Sequence, residues 1–347
     1  MNIEFHYYAL HYISRCAGFS QADASTIAIS SQMVDECIAP WEVSISPLSG
    51  SSVHGGAGNG FAPLFHTHVT QNYVFWDEAV AKNIYQPFHF IPGDVGAASA
   101  LRLDGHASRF VVTADSPLAR EILIAALNTR NLYRIGLALH SYADTWAHQN
   151  FSGEAEAQNT MDASSPFPAA GHLQAMRNPD NPRLVWKDGR LKDSFKEIRN
   201  ADRFVKAAAM IYRFLCTFNR RSFADEIFVT DRLEELWGGA KAVGDSAARA
   251  SDYIIDFDVP PYTPEAWAMG AGGRTISPFS SPDPWRTGYD RLAWLKDAAT
   301  KASSAFGGLR GRIPEAGYKG SAFEYWNKAV AEHRDFCFSL FKQRGIA

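Results

Sequence analysis

Apolar residues recur three and four positions apart along most of the chain, and no regular strand run appears between them. That spacing predicts a mainly helical protein. Residues 5–17 carry it and stop at Gly18, a residue suited to end a helix. Ser20 then stands as a cap, with Asp23 three residues on, before a helix over 21–37 whose Ala24, Ile27, Ala28, Ser31 and Val34 face a core. Helix returns over 70–84. Ser116-Pro117 opens another, to about residue 129, as a cap followed by proline at the first helical position. Further helices are predicted over 201–218, 223–237, 241–255, 289–305 and 322–342. Between them, 40–65 is rich in Ser, Gly and Pro and reads as a long loop, as do 152–191 and 259–284. The QPFHFIPGD stretch, with His89 between two prolines, reads as an ordered turn. Residues 95–115 follow no period, and a short hairpin around Asp104-Gly105 is the expectation there. The sum is an all-α multi-helix bundle with long irregular loops, one domain over residues 1–347.

The most apolar helix is 134–151, RIGLALHSYADTWAHQNF. It holds His140, Asp144 and His148 in the spacing H-x3-D-x3-H. Each step of four overshoots a full turn by about 40°, so the three side chains form one stripe. Their flanks (Ile135, Leu137, Ala138, Leu139, Ala143, Trp146, Ala147) predict burial. Two imidazoles and a carboxylate in such a helix are costly unless satisfied, either by a buried polar network or by a divalent metal. Histidine with aspartate and no thiolate suits zinc. His140 and His148 lie roughly 12 Å apart along the axis, too far for one ion. Two ions sharing Asp144 as a bridge are expected, with His140 on one and His148 on the other.

Composition narrows the class. The chain has 347 residues, 46% of them hydrophobic and 20% charged, which suits a compact globular protein. Net charge is −3 with no basic run, so a dedicated nucleic-acid binder is not expected. Cys16, Cys37, Cys216 and Cys337 lie far apart and form neither a disulfide framework nor a C-x2-C pair. No apolar run reaches membrane-spanning length, and the first residues lack the layout of a signal peptide. A cytoplasmic protein is the expectation, with leaderless export left open.

Several polar residues, in their order and surroundings, resemble the zinc-dependent phospholipase C and P1 nuclease superfamily. HSYADTWAHQNF is similar to that family's pattern of His, three residues, Asp, a short gap, His and then Asn-Phe, with the gap after Asp144 two residues shorter. FHFIPGD around His89 resembles its His-Phe-x-x-Pro-Asp segment. His6 sits where the family has an early helical ligand, Asp35 where it has a ligand aspartate that also serves as a base, and His172 where it has a late histidine. The chain also resembles an uncharacterised bacterial group opening with Phe-His-Tyr-Tyr. The likeness covers about the first 180 residues, with helices of 200–345 completing the core. Two features depart from it. The family uses its N-terminal residue as a ligand, a role not assigned to Met1. It also places a Glu four residues after the late histidine, where this chain has Met176; Asp180, Glu154 and Glu156 are the substitutes in reach.

The resemblance implies a zinc-dependent hydrolase of phosphoric esters, phospholipase C-like, using a metal-bound hydroxide. Two or three zinc ions would be held by His6, Asp35, His89, His140, Asp144, His148 and His172, with Asp35 or Asp144 orienting the water or taking its proton. The substrate would be a small-molecule or lipid phosphoester, reached through peripheral membrane contact in the lipid case, with the loop 44–63 as its cover. The alternatives are another metal-dependent hydrolase, of nuclease, amide or phosphonate type, and a metal-containing binding protein with a degenerate site. His54, His66, His68, His106 and His333 are expected in surface or supporting positions, with the His66-x-His68 pair the one to watch, and His11 is expected to face the core and hydrogen-bond there.

Overall fold

The computed structural model describes residues 1–45, 62–72, 74, 77–238, 246–275 and 308–346. A π-helical turn, Glu4–Ala9, runs directly into α1 (Leu10–Cys16), which stops at Gly18 with φ of +97°. Ser20 caps α2 (Gln21–Glu36) by accepting from the Asp23 amide at 3.1 Å. Ser116 does the same for α3 (Pro117–Thr129), accepting from the Ala119 amide. The central helix is α4 (Leu132–Ala147), followed by α5 (Asn200–Phe218), α6 (Glu226–Gly238), α7 (Ser246–Asp256) and α8 (Ala322–Gln343).

α4 is buried at every position from 135 to 145, because α2, α3, α5 and α8 all pack on it. The closest approach is to α2. A Cβ at Gly136 would stand 2.4 Å from the Ile27 carbonyl oxygen and 2.6 Å from the Ser30 Cβ. Only glycine lets the two backbones meet this way. The contact sets how near the end of α2, with Asp35, comes to the inner face of α4.

The fold is not all-α. Two sheets are present, so the architecture is mixed α and β. One has four strands in the order β2-β1-β6-β5: β1 (Trp41–Ile45) pairs antiparallel with β2 (Ala62–His66) and parallel with β6 (Gly311–Pro314), which pairs antiparallel with β5 (Arg274–Thr275). The other pairs β3 (Val185–Lys187) with β4 (Glu197–Arg199). These strands are two to five residues long, and where a period of two does occur, in WEVSI of β1, it is a single five-residue run. Trp41, Val43 and Ile313 join Phe323, Trp326 and Val330 of α8 in a second core beside α4.

Other expectations change with it. The edges of the stretch 40–65 are β1 and β2, while 46–61, including His54 and most of the loop 44–63, lies outside the described residues. The helix expected over 70–84 starts only at Glu78, capped by Asp77. Thr70 is instead tied into an irregular stretch, its hydroxyl donating to the Val34 carbonyl at 2.9 Å. Asp104-Gly105 lies in a bend rather than a hairpin, after a helix, Val95–Leu101, capped by Asp94. The helix expected over 289–305 falls outside the described residues. Cys16, Cys37, Cys216 and Cys337 are all free. Among the described residues no helix is long and apolar enough to cross a membrane.

Gly136→Ala tests the α2–α4 contact. The added methyl has no room, so the variant should lose about 1–3 kcal/mol of stability in urea unfolding. Unchanged stability would mean that the helices do not meet this closely.

Candidate functional site

Five segments converge on one buried point. α4 supplies His140 and Asp144. His148 follows as the residue that caps it, so the helix ends four residues before the predicted 151. The chain turns there, with Asn150 at φ of +66°. The π-helical N-terminal turn brings His6 and the Met1 amino group. The end of α2 brings Asp35. A second π-helical turn, Ala81–Tyr85, leads into the short helix Gln86–Phe88, and His89 follows it directly. The irregular segment after α4 brings His172 and Asp180.

Asp144 is the hub. Its Oδ1 lies 3.1 Å from His6 Nε2 and accepts from the Met1 amino group. Its Oδ2 lies 3.2 Å from His89 Nδ1, 3.4 Å from His140 Nε2 and 3.8 Å from His148 Nδ1. Asp35 Oδ1 is 3.8 Å from His89 Nδ1 and 3.7 Å from His140 Nε2, and those two nitrogens are 3.3 Å apart. On the far side, His148 Nε2 is 3.0 Å from Asp180 Oδ1 and His172 Nε2 is 3.5 Å from Asp180 Oδ2. Met1 reaches here too, 3.3 Å from Asp180 Oδ1.

The outward nitrogens of three imidazoles are fixed by main-chain carbonyls. A carbonyl only accepts, so each such nitrogen carries the hydrogen. His89 Nε2 donates to Thr70 O at 2.9 Å, His148 Nδ1 to His89 O at 2.9 Å and His172 Nδ1 to Met176 O at 2.7 Å. Their other nitrogens face carboxylates or imidazoles. His6 and His140 lie stacked, ring centroids 3.8 Å apart at 19°, and their Nδ1 atoms are buried with no partner. Phe90 stacks on His148 at 4.7 Å.

Three ligand sets emerge: His6, His140 and Asp144; Asp35, His89 and His140; and His148, His172 and Asp180. Donor atoms about 2.0–2.2 Å from a tetrahedral ion stand about 3.4 Å from one another. The separations of 3.0–3.8 Å above bracket that value. The cluster is closed on the α4 side and opens where Asp35, His172 and Asp180 stand, 27%, 21% and 17% exposed.

Charges are coupled throughout. Burial alone would raise the Asp144 carboxyl, but the Met1 amine, His148, His140 and His6 outweigh it and hold it well below its usual value. Asp180 is also held far down, by His172, the Met1 amine and a hydrogen bond from His148 against burial. The Met1 amine resists burial and is raised to about 10 by Asp144, Asp180 and Asp35. Burial drives His6 down to about 3, helped by His140. Burial also tends to lower His89, but its hydrogen bond to Asp144 prevails and raises it.

All seven residues singled out from sequence, His6, Asp35, His89, His140, Asp144, His148 and His172, are brought together. Their grouping differs from the expected one. His148 uses its Nδ1 on a carbonyl and turns its Nε2 to Asp180, so it stands with His172 rather than sharing Asp144 with His140. Of the three substitutes for the missing Glu, Asp180 is at the site. Glu154 is bonded to Gln86 and Glu156 to Ser152. The Met1 amine, left aside in the sequence, sits between two of the carboxylates. The signal for Asp180 is the NPDNP run, whose prolines fix the turn presenting it. Among the other histidines, His66 is exposed, near Glu42. His11 meets Ser25, while His333 donates to the Pro87 carbonyl at 3.0 Å behind Ser141.

The family model matches residues 1–341. The chain belongs to the family of unknown function DUF6765. No curated protein and no solved structure matches it. Membership extends over nearly the whole chain, so the site and the α5–α8 scaffold belong to one family unit.

Histidine burial gives a pH dependence. Burial lowers His6 to about 3 and His11 and His333 to about 4, and lowers His68 and His172 as well. The unfolded chain binds these protons near pH 6.5 and the folded one does not. Stability is therefore present above that pH and is lost as pH falls towards 4. His89, raised, works the other way but is outnumbered. Chelator-treated protein should lose urea resistance steadily from pH 6.5 to 4. His333→Asn should remove up to about 3 kcal/mol of that loss. A flat profile in wild type would contradict the assignment.

Proposed function

We propose that this protein is a zinc-dependent hydrolase of phosphoric esters, phospholipase C-like in its chemistry. The single observation that supports it most is the convergence of five imidazoles on three carboxylates, with three of the imidazoles anchored from behind by carbonyls. Such backing fixes the tautomer and aims the free nitrogen, the arrangement metal-ligating histidines adopt. Hydrogen bonding among the same groups sets His89 Nδ1 against His140 Nε2.

His6 and Asp144 would hold one ion and Asp35 and His89 a neighbour, with the single lone pair of His140 Nε2 given to one of the two, and His148, His172 and Asp180 would hold another. Zinc so held acidifies water towards neutrality and takes up charge developing on phosphoryl oxygens. The chain's own part is positional. Asp144 would offset the mutual repulsion of cations held near it. Asp35 turns Oδ1 to His89 and His140, while its Oδ2 stays 4.0 Å from His6 and is placed to take a proton from water. The open edge at Asp35, His172 and Asp180 admits the ester. The alternative of a degenerate binding protein rested on Met176 replacing Glu, and Asp180 beside His148 and His172 removes that ground. A nuclease is disfavoured by the net charge of −3.

The test is zinc per chain, with turnover of a phosphomonoester and phosphodiester panel that includes phospholipids. Wild type should hold two or three zinc ions and hydrolyse at least one member. Asp144→Asn keeps the shape but loses the charge. It should drop at least one ion and lower turnover by more than the 10–100-fold that outer partners cost. His148→Ala should remove only the ion shared with His172 and Asp180. Wild-type zinc content retained in Asp144→Asn would count against the assignment, and a metal-loaded wild type inert on the whole panel would count against the reaction.

A further inference from the structure

Glu4 lies two residues before His6 in the π-helical turn and is fully buried. Its Oε1 accepts from Arg249 Nε at 3.0 Å and lies 2.8 Å from Arg249 Nη2. Arg249 belongs to α7, nearly 250 residues away in sequence, and is 1% exposed. The surroundings are aromatic. Phe5 stacks on Trp237, Trp237 donates to the Tyr253 hydroxyl at 2.8 Å, and Tyr8 packs on Tyr253 at 5.2 Å. Arg183 is close enough for its guanidinium to be lowered, by burial first and then by Arg249.

An ion pair buried this completely is weak support for stability, because desolvating two charges offsets most of their attraction. It does supply direction, which the aromatic contacts lack. The turn it holds is also one that can change register: a π-helical turn relaxing to the ordinary ladder takes up extra twist and swings its side chains around the axis. His6 is carried on that turn, and Met1 stands three residues before its start. We infer that the Glu4–Arg249 pair is a positioning device. It locks the N-terminal turn in the register that aims His6 Nε2 at Asp144, and the metal ion assigned to His6 and Asp144 depends on it. This inference rests on the metal-centre function proposed above.

The experiment uses the full chain with cobalt(II) in place of zinc. Bound cobalt, its visible absorption and thermal unfolding are measured for wild type, Arg249→Lys and the double variant Glu4→Leu/Arg249→Met. The double variant removes both charges and keeps apolar volume. It should unfold within ~5 °C of wild type, yet bind one cobalt fewer and lose the matching part of the absorption. Arg249→Lys keeps the charge and should recover part of that occupancy. A double variant with full cobalt and an unchanged spectrum overturns the positioning role. So does one that loses far more than ~5 °C or fails to fold, which makes the pair a structural brace. Wild type that binds no cobalt overturns the metal centre itself, an outcome distinct from the other two.

Discussion

The buried carboxylate of Asp144 is the constraint around which the molecule is arranged. It is 1% exposed, in the last turn of a helix packed on all sides. An uncompensated charge there costs several kcal/mol even after relaxation, a large part of the 5–15 kcal/mol by which a protein is ordinarily stable. The chain answers with the Met1 amine, His6, His89, His140 and His148, drawn from three separate segments. Each partner must arrive with correct aim, and much of the remaining structure serves that aim.

Gly136 lets α2 come close enough for Asp35 to reach His89 and His140. Two π-helical turns, Glu4–Ala9 and Ala81–Tyr85, set the approach of His6 and His89, and such turns gather at functional sites. Carbonyls of Thr70, His89 and Met176 orient three imidazoles. Met176 does so at φ of +55°, a conformation a side chain adopts only when its surroundings enforce it. Met176 thus has a main-chain role at this position, while Asp180 sets a carboxylate beside His148 and His172.

The sequence disclosed the site better than the fold. His140 and Asp144 were legible because helical spacing puts them on one apolar face, and Ser20 and Ser116 because caps are local. His148 was legible as a site residue but not in its grouping. Its ring direction depends on the His89 carbonyl, a contact no spacing encodes. The Met1 amine was hidden because nothing in the sequence tells that the first turn folds inward. The four-stranded sheet was illegible for a different reason. β1, WEVSI, alternates apolar and polar residues, but over five positions only and at the edge of a stretch rich in Ser, Gly and Pro, and β6, GRIP, joins it from 270 residues away. Short strands paired over such distances are specified by tertiary packing, here Trp41 over Gly311 at a spacing that leaves no room for a Cβ.

The central claim is that these imidazoles and carboxylates hold metal. Anomalous diffraction at the zinc absorption edge, from crystals grown with zinc, tests it most directly because it counts ions and places them together. The account predicts two or three peaks, one between His6, His140 and Asp144 or between Asp35, His89 and His140, and another between His148, His172 and Asp180, with imidazole nitrogens about 2.0–2.1 Å away. A map with no peak within reach of Asp144 and Asp180, the same side chains bonded only to one another, would contradict it.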